Sequence, residues 1–62
     1  IFRRSLYFIK NLKKNHIIGT GDIKSIRPGL GLPPKYYEKL IGKKLSRNVL
    51  FGEPVKINDF EL

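Results

Sequence analysis

One arginine is set apart by its surroundings. Arg27 opens the stretch Arg27-Pro28-Gly29-Leu30-Gly31-Leu32-Pro33-Pro34, where three prolines and two glycines fall within eight residues. No regular element survives that density, so the segment reads as a loop held by Pro28 and freed for close approach by Gly29 and Gly31. A rigid loop loses little entropy on docking, and an arginine at its base offers a planar fork of donors for carbonyl or carboxylate groups. The competing reading is a simple turn in which Arg27 pairs with a nearby acid such as Glu38. The residues by themselves leave both open.

The other reactive side chains form no catalytic set. His16 is the lone histidine and reads as a solvated turn residue, with no cysteine or second histidine to share a metal. Asp22, Glu38, Glu53, Asp59 and Glu61 have no spacing that converges two carboxylates on one bond. Ser5, Thr20 and Ser46 have no base near them in sequence. Gly29-Leu30-Gly31 lacks the preceding buried strand, third glycine and lysine–hydroxyl ending of a phosphate loop. No catalytic residue and no metal ligand is therefore expected in this chain.

Size and composition agree. Sixty-two residues read as a single domain over 1–62. Such a chain buries only about 60% of its unfolded surface, which leaves no room for a deep pocket of roughly 300 Å³ with several converging polar groups. No apolar run approaches the roughly 20 residues that span a bilayer, and the start has no signal-peptide core. Absence of cysteine fits a cytoplasmic protein. A chain that opens on Ile and contains no Met reads as a piece of something longer. The net charge of +8 favours anionic partners. The thirteen Lys and Arg are nevertheless dispersed, with no run longer than two, as on a solvated surface.

The elements that must position Arg27 are short. Ser5 to Ile9 has strand composition, and Lys13 to His16 reads as a turn with Asn15 left-handed. Ile23 to Ile26 shows apolar residues three apart, with no alternation. Pro34 to Ile41 carries the one good helical signal, with Tyr36, Tyr37, Leu40 and Ile41 sharing a face and Gly42 as a left-handed cap. Lys44 to Asn48 and Val55 to Ile57 suit short extended pieces, and Phe51-Gly52 a turn. An offset of 37 residues superimposes Asn11-Leu12 on Asn48-Val49, Asn15 on Gly52, Ile18 on Val55 and Asp22-Ile23 on Asp59-Phe60. Asn and Gly both tolerate positive φ. The match predicts two related half-motifs about a pseudo-twofold axis, each Asp capping the turn that follows it, with the proline loop and helix inserted between.

Arg4-Ser5-Leu6-Tyr7, Asp22-Ile23, Ile26 to Pro33, Lys35-Tyr36 and Leu40 to Lys44 together resemble the C-terminal antifreeze-like (SAF) domain of bacterial and archaeal sialic acid synthases. Type III antifreeze proteins share that fold. The resemblance covers nearly the whole chain and implies a mostly β, compact β-clip fold of short strands with short helical turns. In the family, a TIM barrel condenses phosphoenolpyruvate with N-acetylmannosamine or a related acylated amino sugar, using a divalent metal (Mn or Mg) held by the barrel. The small domain closes the barrel of the other subunit in a homodimer, and the arginine matching Arg27 reaches the acyl-amino group of the sugar. Pro28, Gly29 and Gly31 would shape its loop. Neither nucleic acid nor membrane is an expected partner. Asn15 stands where the family usually has Gly, and a hydroxyl residue common near Gly19 is missing.

Three other functions fit the residues less well. Ice binding needs a weakly polar face, and Lys13 to Lys24 is too charged for one. Nucleic-acid binding would draw on the net charge, but Tyr7, Phe8, Tyr36 and Tyr37 suit a core better than a stacking platform. The same fold serving another parent fits the Arg27 loop less well.

Overall fold

A computed structural model describes residues 3–61; Ile1, Phe2 and Leu62, counted in the expected domain, lie outside the described residues. Two strands, β1 (Ser5–Phe8) and β2 (Ile23–Ile26), form an antiparallel pair with Ser5 opposite Ile26 and Phe8 opposite Ile23. A 3₁₀ turn, Pro34–Tyr36, runs into a single α-helical turn, α1 (Tyr37–Leu40), and a second 3₁₀ turn covers Ile57–Asp59. The remaining chain is held by isolated bridges and turns, as expected for a mostly β fold of short pieces.

Strand β1 is the centre of the molecule. Its run Ser-Leu-Tyr-Phe is buried at every position because both edges are occupied. One edge pairs with β2. On the other, Leu6 N–H donates to the Leu32 carbonyl (2.9 Å), Phe8 N–H to Glu53 (3.0 Å), and Val55 N–H to Leu6 (2.9 Å). A strand with no free edge leaves no backbone group unpaired in the interior. Strand β2 was not foreseen. It does alternate, but its half-buried position 25 is a serine and its exposed position 26 an isoleucine, which hides the period.

The predicted pseudo-twofold is present bond by bond. Leu12 and Val49, equivalent under the 37-residue offset, exchange both backbone hydrogen bonds, N···O 3.0 and 2.8 Å, and so straddle the axis. Asn15 N–H donates to Leu45 (2.9 Å) as Gly52 N–H donates to Phe8 (2.8 Å). Lys14 N–H reaches the Asn48 side chain and Phe51 N–H the Asn11 side chain, each at 2.7 Å. Asn15 and Gly52 have φ of 78° and 92°, as a tight turn of this hand requires. The core follows the same symmetry, pairing Phe8 with Leu45, Leu12 with Val49, Ile18 with Val55 and Ile23 with Phe60, all buried. Each such side chain contributes about 1.5–3 kcal/mol of burial.

The helical signal is borne out from Pro34 to Leu40, as a 3₁₀ turn followed by one α turn, and stops one residue short of Ile41, which is extended (φ −61°, ψ 129°). Three local expectations are corrected. Gly42, at φ 88°, is not a helix cap. It is the third residue of a type II turn closed by Lys43 N–H on Leu40 O at 3.0 Å, and its own N–H pins Ile18 O at 2.8 Å. Asp22 and Asp59 cap the turns before them, not after: their Oδ2 atoms accept Gly19 N–H (2.8 Å) and Lys56 N–H (2.9 Å). His16 is not a free turn residue, since its Nε2 lies 2.8 Å from Asp22 Oδ2.

Candidate functional site: the Arg27 loop

The loop is fixed from beneath by β1. Ser5 and Tyr7 are two residues apart on a strand, so they project to one side. Both donate to the Pro28 carbonyl, Ser5 Oγ at 3.2 Å and Tyr7 Oη at 2.6 Å. Ser5 Oγ in turn accepts Gly31 N–H at 2.9 Å, which satisfies a fully buried hydroxyl. Leu30 N–H folds back on Pro28 O (3.0 Å), and Leu32 joins the ladder by donating to Val55 O (2.9 Å). Lys56 Nζ closes the far side on Leu30 O at 2.6 Å. The Arg27–Pro28 peptide bond is cis.

Gly31 has no alternative at its position. A Cβ there would stand 2.6 Å from Leu6 O and 2.8 Å from Val55 N, both backbone atoms of the central ladder that cannot step aside. At Gly29 a Cβ would meet Arg3 Cγ at 2.5 Å, a side chain with more freedom, and Arg3 O at 3.0 Å.

Arg27 itself is exposed at the head of this frame. Among the described residues it joins no ion pair, and neither does Glu38, the acid weighed against it above. The acids that are paired lie elsewhere. Asp22 takes His16 and Lys10 (3.5 Å), while Asp59 and Glu53 both take Arg47, at 2.8 and 2.9 Å. Burial pushes the Asp22 carboxyl up, but the Gly19 and His16 hydrogen bonds and the nearby His16 and Lys10 charges outweigh it, and the net shift is down. Arg47, helped by Leu50 N–H, holds Glu53 below the usual carboxylate range, and the two acids raise Arg47 in return.

The two main grooves among the described residues hold no set of reactive groups. Two surface grooves of about 380 and 360 Å³ exceed the volume the chain length suggested. The first is lined by Leu6, Ile9, Thr20, Ile23, Lys24, Ser25, Pro34 and Tyr37, the second by Tyr36, Lys39, Leu40, Lys43, Ile57 and Phe60, so neither holds a carboxylate or an imidazole. Among the described residues no three His, Asp or Glu side chains gather where a metal ion could sit. Among the described residues no helix is long and apolar enough to cross a membrane. The sequence singles out Arg27 and its loop, and does not announce Ser5, Tyr7 and Lys56 as the side chains that hold that loop. The signal for the first two was a hydroxyl at alternate positions of an otherwise apolar strand.

This architecture is the antifreeze-like fold. It superimposes with a TM-score of 0.87 on the solution structure of an antifreeze-protein-like domain in the human N-acetylneuraminic acid phosphate synthase gene, covering 94% of this chain and 75% of that one at 17% identity. Residues 3–61 match the SAF domain, and the chain belongs to that family. It is 47% identical over 60 residues to a pseudaminic acid synthase of Campylobacter jejuni (strain 81-176), and 38% identical over 60 residues to one of Helicobacter pylori. Both matches cover 97% of this chain but 18% of the relative, so the chain spans under a fifth of the length of these proteins.

Proposed function

We propose that this domain is the capping part of a pseudaminic- or sialic-acid-synthase-type enzyme of the cytoplasm. In this reading it closes the mouth of a TIM barrel in the other subunit of a homodimer. Arg27 donates hydrogen bonds to the acyl carbonyl of the amino sugar that the barrel condenses with phosphoenolpyruvate, and the loop excludes water from the reacting groups. The observation that carries the reading is an exposed arginine, in no ion pair among the described residues, at the head of a loop whose backbone is already bonded inward. Similarity to two pseudaminic acid synthases favours a diacetamido sugar over N-acetylmannosamine as the acceptor.

The divalent metal of such an enzyme does not fit this chain, whose described residues offer no cluster of ligands. In this proposal it belongs to the barrel, and Arg27 acts by binding and orientation. The test is Arg27→Ala in the parent enzyme. Expected is a rise in the sugar KM or a fall in kcat/KM of about tenfold or more, with the melting temperature unchanged. Unaltered kinetics toward both substrates would sink the proposal.

A further inference from the structure

The second groove joins an apolar floor to a basic rim. Leu40 and Phe60 belong to the buried core, so the edges they show form its floor. Tyr36 and Ile57 line it as well, and Ile57, 45% exposed, is an isoleucine that the domain itself leaves uncovered. The two charged side chains of the lining are both lysines, Lys39 and Lys43. The ammonium groups of Lys35 and Lys39 lie 5.8 and 5.5 Å from the centroid of the Tyr36 ring, which keeps positive charge at that wall. No carboxylate lines the groove, and no ion pair among the described residues includes Lys35, Lys39 or Lys43. Glu38 adjoins Lys39 on α1, but side chains at successive helical positions do not face each other. The groove thus lacks both an apolar cover and a counter-charge.

Two facts bear on what covers it. The chain spans 18% of the length of the pseudaminic acid synthases it matches, so most of such a protein lies outside it. The groove also adjoins the Arg27 loop, because Lys56, the chain neighbour of Ile57, holds Leu30 O. A body seated on that loop meets this groove too. Resting on the capping role of the loop, we infer that the groove docks an acidic amphipathic segment of the barrel in the other subunit. One large apolar side chain of that segment enters between Tyr36 and Ile57, and its flanking carboxylates meet Lys39 and Lys43. Apolar contact supplies the adhesion, and the lysines select a carboxylate-bearing partner and fix its register.

The test is carbodiimide cross-linking of the whole parent enzyme, read by denaturing gel and peptide mass spectrometry. The reagent activates a carboxylate, and a lysine amine in contact with it displaces the urea to leave an amide with no spacer. Expected are links from Lys39 or Lys43 to Asp or Glu residues outside 1–62, in a product of twice the subunit mass, with few from Lys13 or Lys14. Ile57→Ser alters an exposed side chain only. It should leave the melting temperature of the 62-residue chain unchanged and cut the yield of these links several-fold in the parent. Links confined to Glu38 or Glu61 of the same chain overturn the dock, as do links spread evenly over all lysines. A product of single subunit mass, or a yield that Ile57→Ser leaves unmoved, overturns it as well. The capping role is judged separately by the Arg27→Ala kinetics: if those are unaltered while the links form, the dock stands and the capping role fails.

Discussion

The two halves of the molecule share a backbone and differ in how they are clamped. In the first, Asp22 is gripped by His16 and Lys10; in the second, Asp59 is gripped by Arg47, which also takes Glu53. These are the same three positions under the 37-residue offset, Lys10 with Arg47, His16 with Glu53 and Asp22 with Asp59. The geometry is preserved while the chemistry is not. Each turn-capping aspartate has basic side chains against it, an imidazole and an ammonium in one half and a single guanidinium bridging two acids in the other. The turn tips diverge further. Lys13-Lys14 stands in one half, and Leu50-Phe51, 62% and 69% exposed, in the other. Backbone hydrogen bonds and core volume are thus what the repeat retains, and the exposed side chains are free to part.

That comparison can be broken most forcefully at the core. Phe8→Ala should destabilise by about 3–5 kcal/mol and its counterpart Leu45→Ala by about 2–5 kcal/mol, since both are fully buried. Either approaches the whole stability of a domain this small, about 5 kcal/mol. Urea unfolding followed by circular dichroism reads both, and a mild loss in one half alone would show that the halves do not fold as a unit.

The clamps come next. Asp59→Ala should cost about 2 kcal/mol and Asp22→Ala about 1 kcal/mol, because the partner of Asp59 is permanently charged and that of Asp22 is in part an imidazole. The opposite order in thermal melts would refute the asymmetry. Each half also carries one carboxylate held below its ordinary range, Asp22 and Glu53. A depressed folded-state pKa gives stability that is complete above the unfolded-state value and lost as pH falls through the folded one. Melting temperature should therefore fall below about pH 4. The acid limb should flatten in Asp22→Asn and Glu53→Gln, and an unchanged acid limb in both would remove this account.

The turns give effects no larger than the clamps, and their conservative exchanges give the smallest of all. Asn15→Ala and Gly52→Ala should each cost about 1–2 kcal/mol, the penalty of a left-handed Cβ. Asn15→Gly and Gly52→Asn should change stability by a few tenths of that. Gly52 has open space around it, so any larger loss there would mean that backbone conformation is not the reason for glycine.

Much of this was legible from residue type. Asn15 and Gly52 announced their turns because few residues accept positive φ, and the density of Pro and Gly announced the Arg27 loop. What stayed hidden depended on partners distant in the chain. Strand β2 was concealed by Ser25 at a half-buried position. Its hydrogen-bonding mate β1 supplies the order that its own sequence lacks. The role of His16 needed the turn that returns the chain to Asp22, and the link from Lys56 to Leu30 joins residues on opposite sides of the helix. Nothing local reports such closures. The same holds for Ser5 and Tyr7, whose hydroxyls find Pro28 across the ladder.

The carbonyls of the Arg27 loop have a consequence for selectivity. Pro28 O is occupied by Ser5, Tyr7 and Leu30, Leu30 O by Lys56, and Leu32 O by Leu6. Each of these three carbonyls already has its donor inside the domain, and the N–H groups of Leu30, Gly31 and Leu32 have their acceptors there too. A ligand that aimed a hydroxyl or an amine at one of the three carbonyls would have to compete with a bond already made, or lose its hydration at a cost of about 1–3 kcal/mol for each group. On this stretch of backbone a partner is met by side chains.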